Sequence, residues 1–189
     1  MDDKLRRRTR THIKRGEGSI PHMYLDTVGK VTVGVGNMLP NIESAMALPF
    51  VLEDSGEPAS RDNIQSDFEN VSEQQQGMLA HRYRDFTKLV LTEEGIDTLL
   101  DTRIDEFERR LIEDFSNYEN CPGAAQLALL DMAFNLGNSG LVNKFPTFCQ
   151  AAKAEDWEVC ESECNRRGIS DDRNEETGAL FRECAAGVP

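Results

Sequence analysis

Glu17, Asp26 and Thr32 are the side chains in this 189-residue sequence whose types and spacing offer a definite chemistry, with eight residues between the first two and five between the last two. A carboxyl at the end of a helix and another on a hairpin, facing each other across a crevice, are the apparatus for general acid-base hydrolysis of an acetal. One carboxyl protonates the leaving oxygen, and the other, ionised, draws a water onto the reacting carbon. That division needs two different protonation states. A burial difference between the two would supply it, because desolvation raises a carboxyl pKa and polar contacts lower it. On spacing alone the pair reads as solvated surface, since the chain carries 34 acidic residues.

Other chemistries fare worse. The five cysteines (Cys121, Cys149, Cys160, Cys164, Cys184) and three histidines (His12, His22, His81) show no zinc-ligand spacing. The cysteines read as small buried residues of a reduced protein, with no metal expected. Gly34-Val35-Gly36 is not followed by a helix start in register, which removes a phosphate-loop reading. Trp157 reads as helix packing, His22 beside Pro21 as a loop residue, and His81 to Arg84 as a polar stripe. The cluster from Arg6 to Arg10 reads as a solvated helix face or as a partner for acidic groups.

The net charge is −13, and it is uneven: residues 1–17 carry +4 and the remainder −17. A body this acidic repels phosphates and anionic surfaces, so neither nucleic acid nor membrane insertion is expected. No apolar run reaches the roughly 20 residues needed to span a bilayer, and no apolar segment follows the basic residues near the start. The expectation is synthesis in the cytoplasm without a signal peptide.

These residues need elements to hold them. Leu5, Thr9 and Ile13 recur every four positions, which predicts an amphipathic helix ended by Gly16 and Gly18. Val31, Val33 and Val35 alternate with Thr32 and Gly34 after a Val28-Gly29-Lys30 turn, predicting a hairpin with one buried face. Residues 40–90, punctuated by Pro40, Pro49, Gly56 and Pro58, predict irregular structure with short helices, one or two of them over 67–91. Thr92 can cap a long helix whose apolar stripe runs from Ile96 through Leu100, Ile104 and Leu111 to Phe115. Residues 124–136 are apolar nearly all round, as a buried helix would be, and Gly137 to Gly140 reads as a turn. Further helices are expected over 145–154, 157–166 and 177–186. The fold class is α+β and mostly α.

The string Glu17-Gly18, Tyr24-x-Asp26-Thr27-x-Gly29, Thr32-x-Gly34-x-Gly36 resembles the N-terminal signature of the phage-type lysozymes, glycoside hydrolase family 24. Residues 127–137 followed by Gly140 are similar to that family's buried central helix and its turn. Arg173 with Leu180-Phe181 resembles its C-terminal arginine and Leu-Phe pair. The resemblance implies a single lysozyme-like domain over 1–189. It would have a hairpin lobe at 18–90, with an insertion at about 40–90, and a helical lobe at 1–17 and 91–189, joined by the long helix.

It also implies roles. Glu17 would be the general acid, Asp26 the base, and Thr32 a holder of the attacking water. This is single displacement with inversion, which implies carboxyls roughly 6.5 to 9.5 Å apart. Met38, Phe134 and Asn135 would contact sugar, and Arg173 would pair with Glu17. Asn37 stands where the family commonly has His, and Asn135 where it has Gln, so a buried His-carboxylate pair is not available at the first position.

The activity implied is that of a muramidase cleaving the β-1,4 bond between N-acetylmuramic acid and N-acetylglucosamine in peptidoglycan, as a monomer without cofactor. The longer insertion resembles the killing domains of pesticin-type toxins. An antibacterial effector acting in a target periplasm, countered by an immunity protein that plugs the cleft, stands beside a phage endolysin, and the acidic charge favours the effector. Two other readings are a non-catalytic peptidoglycan-binding module and a lytic transglycosylase, which needs no water-holding carboxylate.

Overall fold

The computed structural model describes residues 1–187, which divide into two compact units, residues 17–102 and residues 1–16 with 103–187. It is mostly helical with two small antiparallel sheets, an α+β chain.

In the unit of residues 17–102, β1 (Ile20–Leu25), β2 (Val31–Gly34) and β3 (Asn37–Met38) form an antiparallel sheet in that order. Tyr24 lies opposite Thr32, and Thr32 opposite Met38, so Thr32 is on the central strand. The valine alternation predicts one buried face, but all four residues of β2 are buried. The difference comes from the insertion: α3 (Arg61–Ser72) packs on β1 and β2, and a 3-10 helix at Ala80–Phe86 packs on β1.

The rest of the insertion is more regular than expected. It contains α2 (Ile42–Met46), capped by Asn41, and a second sheet in which β4 (Phe50–Leu52) pairs with β5 (Leu89–Leu91). Helix is thus confined to part of 67–91, which ends in a strand. Ser60 caps α3 by accepting from Asn63 N at 3.1 Å, which explains why that helix begins before Asp67. His22 lies in β1 and is 4% exposed, and Tyr83 is fully buried, so neither belongs to a loop or polar stripe.

α4 (Glu93–Asp114) starts as its sequence predicts: Thr92 Oγ1 accepts from Gly95 N at 3.1 Å. Ile96, Leu100, Ile104 and Leu111 are buried along its stripe.

In the other unit, α1 (Asp3–Glu17) buries Thr9 and Ile13. α5 (Gly123–Leu136) is buried at every residue from Ala124 to Phe134, as an all-round apolar helix must be, each large side chain contributing roughly 1.5–3 kcal/mol. Gly137, at φ +70°, ends it, but Asn138 then opens α6 (Asn138–Lys144) where a turn is expected. α7 (Pro146–Lys153) and α8 (Trp157–Glu163) follow. α9 (Asp171–Ala185) begins earlier than expected because Ser170 accepts from Arg173 N at 3.2 Å. Trp157 stacks on Phe181, the packing role its sequence context predicts. No helix among the described residues is long and apolar enough to cross a membrane.

Candidate functional site

Asp26 directly follows β1 and closes the hairpin turn. Its Oδ1 accepts from the backbone N–H of Val28 at 2.9 Å and of Lys30 at 2.8 Å, which fixes the carboxylate and leaves Oδ2 without a hydrogen bond among the described residues. An Asp that bonds its own turn in this way is a common hairpin device. The turn also needs Gly29, which sits at φ +76° with the Gln76 side chain pressed against it.

Thr32 is 2% exposed, and its hydroxyl donates to the Lys30 carbonyl at 3.0 Å. The oxygen is left able only to accept. Asp26 and Thr32 therefore share one local framework. Glu17, the last residue of α1, precedes β1 and is exposed, whereas Asp26 is half-buried. The burial difference expected between the carboxyls runs the other way, because Glu17 lies at the exposed end of α1 while Asp26 is folded into its own turn. Met38, at the end of β3, is 50% exposed.

The remaining predicted residues belong to the unit of 1–16 and 103–187. Phe134 is 8% exposed; its ring centroid lies 4.5 Å from that of Phe107, and the Arg103 guanidinium stands 5.1 Å over it. Asn135 is half-buried.

Arg173 is 7% exposed and meets Asp131, donating from Nη2 at 2.7 Å and Nε at 3.1 Å; it also donates to the Gly16 carbonyl at 3.3 Å. Asp131 is fully buried on α5, and its other oxygen accepts from Arg166 at 2.7 Å and the Thr177 hydroxyl at 2.8 Å. His12 Nε2 lies 3.6 Å from Oδ1. Burial opposes ionisation of Asp131, but His12 and the charges of Arg166 and Arg173 outweigh it and hold the carboxyl well below the usual range. This cluster escaped sequence reasoning. Its one visible signal is an acid inside the apolar run from Leu127 to Phe134.

A second missed acid is Asp67, 4% exposed on the same face of α3 as Ile64 and Val71. His22 donates from Nε2 to the Ala80 carbonyl at 3.0 Å, and burial is the leading cause that pushes its pKa down. Three basic residues of α1 have acidic partners: Arg6 with Asp105, Arg8 with Glu183 and Arg15 with Glu176, each at 2.7 or 2.8 Å.

All five cysteines are buried free thiols, and burial pushes Cys121 and Cys184 up to about 11 and Cys160 to about 12, which disfavours the thiolate at these three. No group of three His, Cys, Asp or Glu among the described residues could hold a metal ion. No model of a known protein family matches the chain, and no curated protein sequence matches it.

Proposed function

We propose that the chain is a peptidoglycan hydrolase, a muramidase that cleaves the β-1,4 bond between N-acetylmuramic acid and N-acetylglucosamine by single displacement. The observation that carries this reading is the state of Asp26: one oxygen is pinned by two backbone N–H groups and the other carries no hydrogen bond among the described residues. A fixed carboxylate with one open oxygen is what a general base needs to take a proton from an oriented water.

In the proposed mechanism Glu17 gives its proton to the glycosidic oxygen as the bond to the anomeric carbon breaks. Water attacks from the opposite face and loses its proton to Asp26 Oδ2. Thr32 Oγ1, whose hydrogen is committed to Lys30, accepts a hydrogen bond from that water. Met38, Phe134 and Asn135 are assigned to glycan contact, and Arg173 to a supporting role beside Asp131. No cofactor takes part. The acidic charge suits an effector delivered into a periplasm better than an enzyme that must adsorb to an anionic wall.

The test is digestion of purified Gram-negative sacculi by wild type, Glu17→Ala and Asp26→Asn, with mass spectrometry of the soluble fragments. Reducing muropeptides from the wild type alone are expected. Anhydro ends would replace hydrolysis with transglycosylation. Absence of release by all three, where a control lysozyme releases fragments, would leave a binding module.

A further inference from the structure

Asp67 uses only one of its oxygens. Oδ2 accepts from the Thr87 hydroxyl and from the backbone N–H of Lys88 at 2.7 Å and Leu89 at 2.9 Å, which ties β5 to α3. Oδ1 makes no hydrogen bond among the described residues and is free to face a cavity of about 380 Å³ that the otherwise buried Asp67 lines. That volume falls within the range of small-ligand sites, roughly 300–1,000 Å³.

The cavity's chemistry narrows the ligand. Asn63, Ser66 and Asn70 come from one face of α3 at helical spacing, Gln74 follows just beyond its end, and they line it together with Phe86. The Gln74 amide donates to the Asn70 carbonyl at 2.7 Å, and the Asn70 side chain makes no hydrogen bond among the described residues. Amide donors and acceptors, a hydroxyl and a fixed carboxylate oxygen suit a ligand whose groups each donate and accept, as sugar hydroxyls do. Phe86 is 37% exposed and offers a flat apolar surface to the C–H face of a sugar ring. A phosphate would meet Asp67 and Asp85 with Lys88 as the lining's lone cation, and the cavity lacks a metal-holding group.

We propose that this cavity is a non-catalytic glycan site that holds a pyranose unit between α3 and Phe86, with Asp67 Oδ1 accepting from a ring hydroxyl. It shares no residue with the turn that carries Asp26 or with Thr32. The identity of the glycan as an N-acetylated wall strand rests on the muramidase reading; the site itself rests on the cavity. Its effect would be to keep the chain on a polymer between cleavage events.

The test is a titration of the ¹⁵N-labelled chain with the tetramer of N-acetylglucosamine, following backbone amide shifts. Saturable shifts at Asn63, Asn70, Phe86 and Lys88 are expected. Phe86→Ala and Asn70→Ala, both exposed positions whose loss leaves the Asp67 ties intact, should each weaken them at least tenfold while leaving shifts at residues 24–32 unchanged. Shifts confined to residues 24–32, or shifts at the cavity that survive both substitutions, would overturn the proposal. Sacculus digestion by Glu17→Ala tests the catalytic reading separately, so a chain that binds the tetramer here without digesting sacculi would sink that reading and keep this one.

Discussion

The backbone N–H of Asp26 and the hydroxyl of Thr32 donate to the same acceptor, the Lys30 carbonyl, at 2.9 and 3.0 Å. One peptide group therefore sets the position of both. Thr32→Val keeps the shape but removes the hydroxyl, leaving the carbonyl with one donor. Folding stability should fall by about 1 kcal/mol, the worth of one hydrogen bond. Turnover of sacculi should fall by about tenfold, a loss of about 1.4 kcal/mol in the barrier. Thr32→Ser should restore both. A Thr32→Val chain with full turnover would remove Thr32 from the mechanism.

Gly16 has a packing reason for being glycine. A Cβ there would lie 2.7 Å from Arg173 Nε and 2.8 Å from Cζ, so the guanidinium must move off Asp131 to admit it. In an open helix Gly→Ala stabilises by about 1 kcal/mol. Here overpacking should reverse the sign, with Gly16→Ala destabilising by about 1–3 kcal/mol in a urea titration. A stabilised variant would show that the arginine yields freely.

Asp131 neutralises two buried guanidiniums. Asp131→Asn should cost roughly 3–5 kcal/mol at neutral pH, because it leaves buried charge uncompensated. The pH dependence follows from the lowered carboxyl pKa. The unfolded value is about 3.9, so this stabilisation is complete above about pH 4 and is lost as pH falls from there toward the depressed folded value. Wild type should therefore lose more stability on acidification than Asp131→Asn. Parallel pH profiles of melting temperature would contradict the assignment.

His22 acts with the same sign at a higher pH. Its folded pKa is lowered, chiefly by burial, while the unfolded ring titrates near about 6.5. The unfolded state then binds the proton first, and stability falls as pH drops below that value. His22→Asn should flatten this slope between about pH 7 and 5 in chemical denaturation, whatever it does to stability at neutral pH. An unchanged slope would show that the ring is not kept neutral by the fold.

Much of this was legible from period alone. The stripe from Ile96 to Leu111, the uninterrupted apolar run after Gly123 and the valine alternation each gave an element of the right type. The hairpin turn was visible at Val28-Gly29-Lys30, but not that Asp26 would close it with two bonds to its backbone. What escaped has a common cause. Phe50-Val51-Leu52 and Leu89-Val90-Leu91 are three-residue apolar runs that period cannot classify, and they become strands only by pairing with each other. Asp131 meets partners from positions 12, 166, 173 and 177, a set that the fold alone assembles. Asn138 opens a helix straight after a glycine that reads as the start of a loop.

The central claim is that Asp26 directs water onto the anomeric carbon from the face opposite the leaving sugar. It is tested most directly by proton NMR of the first reducing ends that the wild-type chain releases from soluble glycan strands, before mutarotation. The account predicts α-anomeric N-acetylmuramic acid ends appearing first, and their loss in Asp26→Asn by about 10²–10⁴-fold in rate. β-Anomeric ends, 1,6-anhydro ends or an undiminished rate in Asp26→Asn would contradict it.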